Sequence, residues 1–283
     1  MHLVAVEQRN TSPEAVHQLS TNATGALPVA GRDIDRFDLA RVLLVRQLKL
    51  IVKRTLFGIF LPIAIPVILF VLYTFVFHTV LHVDIRRYPV YLFAGLLPWT
   101  YLSQTLGVAV TSISREAELV RRARFPYAFL PMASTGAGLV FLLITLAGFV
   151  VVLAATGHVF VSLLPLLVLP VVAVYLFVTG LALVLALVDV YNRDLRQLLG
   201  NIITAWFFLV PVVYSQSVLS RHLGFLVDDD PVSFIVGEFR EFLYWGNLGS
   251  LDHTIAMMTI CAGFFVVCLA VFRRAELSLA KDV

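Results

Sequence analysis

The 62 residues from Tyr127 to Val188 contain no Asp, Glu, Lys or Arg. At roughly 20 apolar residues per crossing, such a run holds two membrane spans or, barely, three. The break at Ala155-Thr-Gly-His158 favours two. Two crossings also return the chain to the side it left, so that Arg193 and Arg196 join the arginines preceding the run, whereas three would scatter them. Composition agrees: 60% of residues are hydrophobic and 14% charged, against about 25% charged in soluble domains. With no water at membrane depth to bond the backbone, continuous apolar segments of this length cross as helices. The chain therefore reads as an all-α integral membrane protein.

Six transmembrane helices are expected, at about 56–81, 89–113, 127–154, 159–188, 198–219 and 254–272. Pro62 and Pro66 should kink the first, and Pro211 lies in the fifth. Residues 1–32 are polar, with no apolar run after the first charges, and read as a flexible inside tail rather than a signal peptide. Residues 33–55 form an amphipathic interface helix, with Leu44, Leu48 and Ile51 on one face and Arg46, Lys49 and Lys53 on the other. In the loop after the fifth span, Asp230-Pro231 reads as an N-cap and first helical residue. Ile235, Phe239 and Phe242 follow at helical spacing, giving a short outer interfacial helix. This arrangement places 17 of the 21 lysines and arginines inside, leaving only Arg86, Arg87, Arg221 and Arg240 outside. Both termini are thus expected on the cytoplasmic side of a cytoplasmic membrane.

Between the second and third spans lies a charged island, Arg115-Glu-Ala-Glu-Leu-Val-Arg-Arg-Ala-Arg124, closed by Phe125-Pro126. Glu116 and Glu118 come before Arg121, Arg122 and Arg124, the order that complements a helix macrodipole. Ser114 is the expected N-cap and Pro126 the stop.

The six proposed spans contain no Asp, Glu, Lys or Arg, so the chain shows no internal site for ion coupling. It has no Gly-x-x-x-x-Gly-Lys-Ser/Thr loop for ATP either. Uphill transport would need a partner to supply the work. Cys261 and Cys268 lie seven apart on one helix face, too distant to bridge, and read as packing thiols with no metal site. What the spans carry instead is aromatic: Phe70, Tyr73 and Phe77 in the first, Trp206, Phe207 and Tyr214 in the fifth, and Tyr244-Trp245 closing the outer helix. Flat amphipathic rings stack on sugar faces while offering few strong hydrogen bonds, so a glycan can slide past them.

Three stretches carry a family resemblance: Tyr91-Leu-Phe-Ala-Gly-Leu-Leu-Pro-Trp99, Leu119-Val-Arg-Arg-Ala-Arg-Phe-Pro126, and Asp189-Val-Tyr-Asn-Arg-Asp-Leu-Arg-Gln197 running into Trp206-Phe-Phe-Leu-Val-Pro-Val-Val-Tyr214. In this order and spacing the chain resembles the membrane (permease) subunit of type-2 ABC exporters, in the branch that exports polysaccharide, O-antigen, cell-wall galactan or teichoic acid. The resemblance, running from about residue 36 to the C-terminus, implies a cytoplasmic coupling helix at 115–124 that docks on a separate ATPase subunit. Arg115, Glu116, Glu118, Leu119, Arg121, Arg122 and Arg124 would make that contact, with Asp194 and Arg196 beside it. It also implies gate helices within 220–246, and two copies of the chain working with two ATPase subunits. Spans one and five would line a channel for a lipid-linked glycan. ATP and Mg²⁺ would be bound by the partner, so this chain would need no cofactor and catalyse nothing. No nucleic-acid surface is implied.

Two other readings stay open on sequence. A related exporter permease could move drugs or lipids through the same span pattern. A membrane prenyl or phospho-sugar transferase would need cytoplasmic acidic clusters for Mg²⁺, where the inner loops offer only Asp189 and Asp194, mixed with arginines.

Overall fold

The structure, a computed structural model, describes residues 42–49, 60–76, 85–116, 126–156, 161–192, 194–214, 230–246 and 251–282. Among these the regular secondary structure is all helical. Helix α1 covers 42–49, α2 Phe60–Tyr73 with a π-helical continuation to 76, and α3 Tyr88–Ala109. A four-residue turn, α4, follows at Ser112–Arg115, then α5 at Phe129–Ala155. A 3-10 segment, Val161–Leu167, leads into α6, Val168–Tyr191, and then α7, Leu195–Leu209. The last elements are α8, Pro231–Arg240, with a π-helical turn Glu241–Trp245, and α9, Leu251–Asp282.

Three segments, Phe129–Ala155, Leu164–Tyr191 and Asp252–Glu276, are long and apolar enough to cross a membrane. The uncharged run thus holds two long helices, broken at the expected place. Helix α3 has 22 residues, about 33 Å, but a different character. Its residues 91–102 are buried on all sides, with α2, α5, α6, α7 and α8 packed around the helix. A helix screened from lipid by its neighbours can carry hydroxyls, and these are satisfied locally: Thr100 Oγ1 donates to Leu96 O at 2.7 Å, and Ser103 Oγ to Thr100 O at 3.3 Å.

Small residues set the close approaches around this hub. A Cβ on Gly180 of α6 would lie 3.2 Å from the Phe265 backbone of α9, so the two helices approach as closely as their backbones allow. Phe177 stacks on Phe264 at 5.0 Å across the same contact. Between α5 and α6, Thr179 Oγ1 donates to Thr135 Oγ1 at 3.0 Å, while Tyr101 OH on α3 donates to Thr135 O at 3.1 Å.

Several expectations change. Helix α7 stops at Leu209, well short of 219, because Pro211 cannot supply an N–H to continue it. Residues 210–214 run on without helix, and Val210, Val212 and Val213 are fully buried. Asp230 caps α8 as expected, its Oδ2 accepting from Ser233 N at 2.8 Å. The helix is packed on the bundle along its apolar face. Val232, Ile235, Val236, Phe239 and Phe242 are all buried, and α8 packs against α3, α6 and α9. Helix α1 also docks on the bundle. Leu43 enters a cluster with Ile113, Leu130 and Phe272, and Leu44 reaches the Cβ position of Gly136. The buried pair on α1 is Leu43 and Gln47, with Leu44 and Leu48 half-buried beside it. Ile51 and Lys53 lie outside the described residues.

Candidate functional site

Two ends of the bundle gather chemistry. At one end, the close of α3 and α6 meets the start of α5 and α7 and the close of α9. Asp189, near the end of α6, is completely buried there. Arg196 Nε donates to its Oδ1 at 2.6 Å and Arg196 Nη2 to its Oδ2 at 2.8 Å, a bidentate pair. Ser114 Oγ donates to the same Oδ2 at 2.5 Å and accepts from Arg196 Nη2 at 2.8 Å. Three elements, α4, α6 and α7, are tied at one carboxylate.

Ser114 is therefore not an N-cap. It sits inside α4, and its hydroxyl is committed to Asp189 instead. Nearby, Arg46 Nη2 on α1 pairs with Glu116 Oε2 at 2.9 Å, and Tyr127 N donates to Glu276 Oε1 at 2.5 Å. Arg115 and Asp194 are exposed at this end. Glu118, Leu119, Arg121, Arg122 and Arg124 lie outside the described residues, as does Phe77. Asp189 is the residue that sequence reasoning passed over as a site. Its signal was the spacing Asp189…Arg196 across a helix junction, which only a turn makes close.

Towards the other end, aromatic side chains from α2, α3 and α7 form a connected row. Tyr73 stacks on Phe207 at 5.3 Å and 20°. Trp99 of α3 stands against both Phe207, at 5.4 Å, and Trp206, at 6.3 Å. Phe70 meets Phe93 edge-on at 5.2 Å. Trp206 Nε1 donates to Asp230 Oδ1 at 3.3 Å, and Tyr214 OH donates to Phe208 O. Tyr244 packs edge-on to Tyr91 at 5.3 Å and touches Trp245, which is exposed. The rings expected from the first and fifth spans meet directly at Tyr73 and Phe207, with Trp99 of α3 packed on the fifth-span rings and Phe93 of α3 on Phe70. The outward face of α7 carries Gln197, Asn201 and Thr204, all exposed, beside Leu198, Ile202 and Phe208. A polar face on an apolar helix has no reason to meet lipid.

Two further ionisable groups outside the six proposed spans are nonetheless buried. Arg240, counted as an outer-loop cation, is 5% exposed, with its guanidinium 3.7 Å from the Tyr91 ring centroid. Glu238 is also buried and accepts from Thr254 Oγ1 at 3.0 Å. Burial pushes the Glu238 carboxyl above the usual carboxylate range. Cys261 and Cys268 are free and buried. Among the described residues, no group of three or more His, Cys, Asp or Glu side chains is placed to hold a metal.

No family model matches the chain. The O-antigen export system permease protein RfbA of Klebsiella pneumoniae is 24% identical over 249 residues, covering 87% of this chain and 95% of that protein. The protein of the same name from Myxococcus xanthus is 25% identical over 248 residues, covering 85% and 94%. The chain is similar to O-antigen export permeases. The likeness runs over nearly the full length of those permeases, so it takes in the hub helix, the Asp189 junction and the aromatic row together. It agrees with the exporter resemblance carried by Tyr91–Trp99 and the two later stretches.

Proposed function

We propose that this chain is the transmembrane subunit of an ATP-driven exporter that moves a lipid-linked polysaccharide across the bacterial cytoplasmic membrane. The likeness to O-antigen export permeases along nearly their whole length carries the reading. The aromatic row from Tyr73 through Phe207 and Trp99 to Trp206 supports it, because rings suit a sliding sugar polymer.

In this reading the chain crosses six times with both termini in the cytoplasm. It pairs with a second copy and catalyses no reaction itself. Two partner ATPase subunits bind ATP and Mg²⁺ and push on the segment 115–124. The Ser114–Asp189–Arg196 junction passes that push to α6 and α7 together, since one carboxylate holds both helices. Helices α2 and α7 then shift against the partner copy and open the path. The polar face Gln197, Asn201 and Thr204 would front that path. A drug or lipid permease would share the frame but has less use for the aromatic row. The transferase reading loses ground because the Asp189 carboxylate is engaged by a guanidinium and a hydroxyl.

Co-expression with the ATPase encoded beside this chain tests the proposal. A complex isolated in lipid nanodiscs should hydrolyse ATP faster when lipid-linked glycan is added. A chain that purifies alone and turns over a prenyl phosphate would sink it in favour of the enzyme.

A further inference from the structure

Non-helical backbone at membrane depth leaves carbonyls without partners unless side chains supply them. Beyond Leu209 the chain is in that situation, and three consecutive carbonyls are each taken by a different donor. Arg240 Nη2 donates to Val212 O at 2.6 Å. Tyr88 OH donates to Val213 O at 2.9 Å, and Tyr91 OH to Tyr214 O at 3.0 Å. The two tyrosines stand on α3 and the arginine on α8, so the unwound end of α7 is gripped from two sides.

Among the described residues the guanidinium is held without a carboxylate. Its partners among them are the carbonyls of Val212 and Tyr91 and the face of the Tyr91 ring. Room for it comes from Gly95, one turn after Tyr91, where a Cβ would lie 2.9 Å from Arg240 Nη2 and 3.2 Å from Val212 O. The stretch Tyr91-Leu-Phe-Ala-Gly95 therefore supplies both a donor and the space for a second one. A cation bonded to carbonyl dipoles and a ring can let go of one partner at a time. Breaking a buried ion pair would instead leave an uncompensated charge on its partner.

We propose that Tyr88, Tyr91 and Arg240 form a catch that holds the unwound segment 210–214 against α3 and keeps the outer end of the transport path shut. Displacing α7 breaks the three hydrogen bonds and frees that segment. The proposal rests on the exporter reading for what passes through the path, while the catch itself is a property of this chain.

The test uses a Val213→Cys reporter in a Cys261→Ala, Cys268→Ala background, with the full chain in nanodiscs. Reaction with a negatively charged thiol reagent should be slow in this parent. Adding Arg240→Met, or Tyr88→Phe together with Tyr91→Phe, should accelerate it at least tenfold, with Arg240→Lys in between. The tyrosine pair loses only two hydroxyls, which covers the case in which Arg240→Met fails to fold. A second reporter, Thr179→Cys, lies buried between α5 and α6 and should stay slow throughout. Labelling of Val213→Cys at the parent rate in both sets of variants overturns the catch. So does equal acceleration at both reporters, which would mark general loosening. With the partner ATPase present, ATP should speed labelling in the parent and not in the variants. Faster labelling in the variants alongside an ATP-insensitive parent would leave the catch standing and remove the exporter reading.

Discussion

Asp189 is wholly buried, while its partner Arg196, seven residues later, keeps 41% of its side chain exposed. The two partners are therefore not equivalent under substitution. Arg196→Met takes the bidentate guanidinium away from a desolvated carboxylate and should cost about 3 kcal/mol. Asp189→Asn leaves a guanidinium that can turn to water and should cost about 1 kcal/mol. Chemical denaturation of the purified chain in detergent reads the difference. Equal losses would mean that Asp189 is better hydrated than its burial indicates.

Gly95→Ala should destabilise the chain by about 1–3 kcal/mol, because the new methyl meets Arg240 Nη2 and Val212 O. Combined with Arg240→Lys the loss should be less than additive, since the shorter, unforked head group vacates the contact. Additive losses in thermal unfolding would place the strain elsewhere.

Tyr73 and Phe207 join α2 to α7 by a stacked pair. A double-mutant cycle with alanine should give a coupling of about 0.5–1.5 kcal/mol. Tyr73→Phe keeps the ring and should keep polysaccharide export, whereas Tyr73→Ala should lower export. Export unchanged by the alanine variant would take this row out of the path.

Glu238 gives a pH dependence with a definite sign. Its folded-state pKa is raised, chiefly by burial and further by nearby Glu241, against the Thr254 hydrogen bond and His253. The folded chain then binds that proton more tightly than the unfolded chain, so stability falls as pH rises from the ordinary carboxylate value through the raised one. Glu238→Gln should melt above the parent at pH 8 and converge with it as pH falls below the ordinary carboxylate value. A constant offset across that range would assign the effect to packing.

Replacing Arg121, Arg122 and Arg124 together by Glu should abolish ATPase association and export while the purified chain keeps its helical content. Survival of association would move the docking site away from 115–124.

The long elements were legible because lipid imposes a simple rule on them. An uncharged run must be helical and about 20 residues per pass, so α5 and α6 fall where Tyr127–Val188 divides at 155–158. The Asp230 cap was legible because an Asx side chain before proline has few other uses. Asp189 and Arg240 were not, for a common reason. Counting cations by loop treats every arginine between spans as solvated, yet α8 folds back and buries one. Nothing local to Phe239-Arg240 marks that return, since Tyr88, Tyr91 and Val212 are distant in sequence. Ser114 misled because a hydroxyl before a charged segment suits a cap equally well as a tertiary bond. Gly95 was quoted only as part of a pattern, and its purpose emerges once Arg240 is beside it.

The placement of Glu238 bears on how the chain is made. Its hydroxyl partner, Thr254, belongs to α9, which leaves the ribosome after α8. Until that helix is threaded into the bilayer, α8 carries an acidic group with nowhere dry to go, so it must wait near the headgroups. The seating of α8 therefore waits for α9, and a nascent chain cut off before 254 should display an unseated α8 to the membrane proteases that clear unfinished proteins.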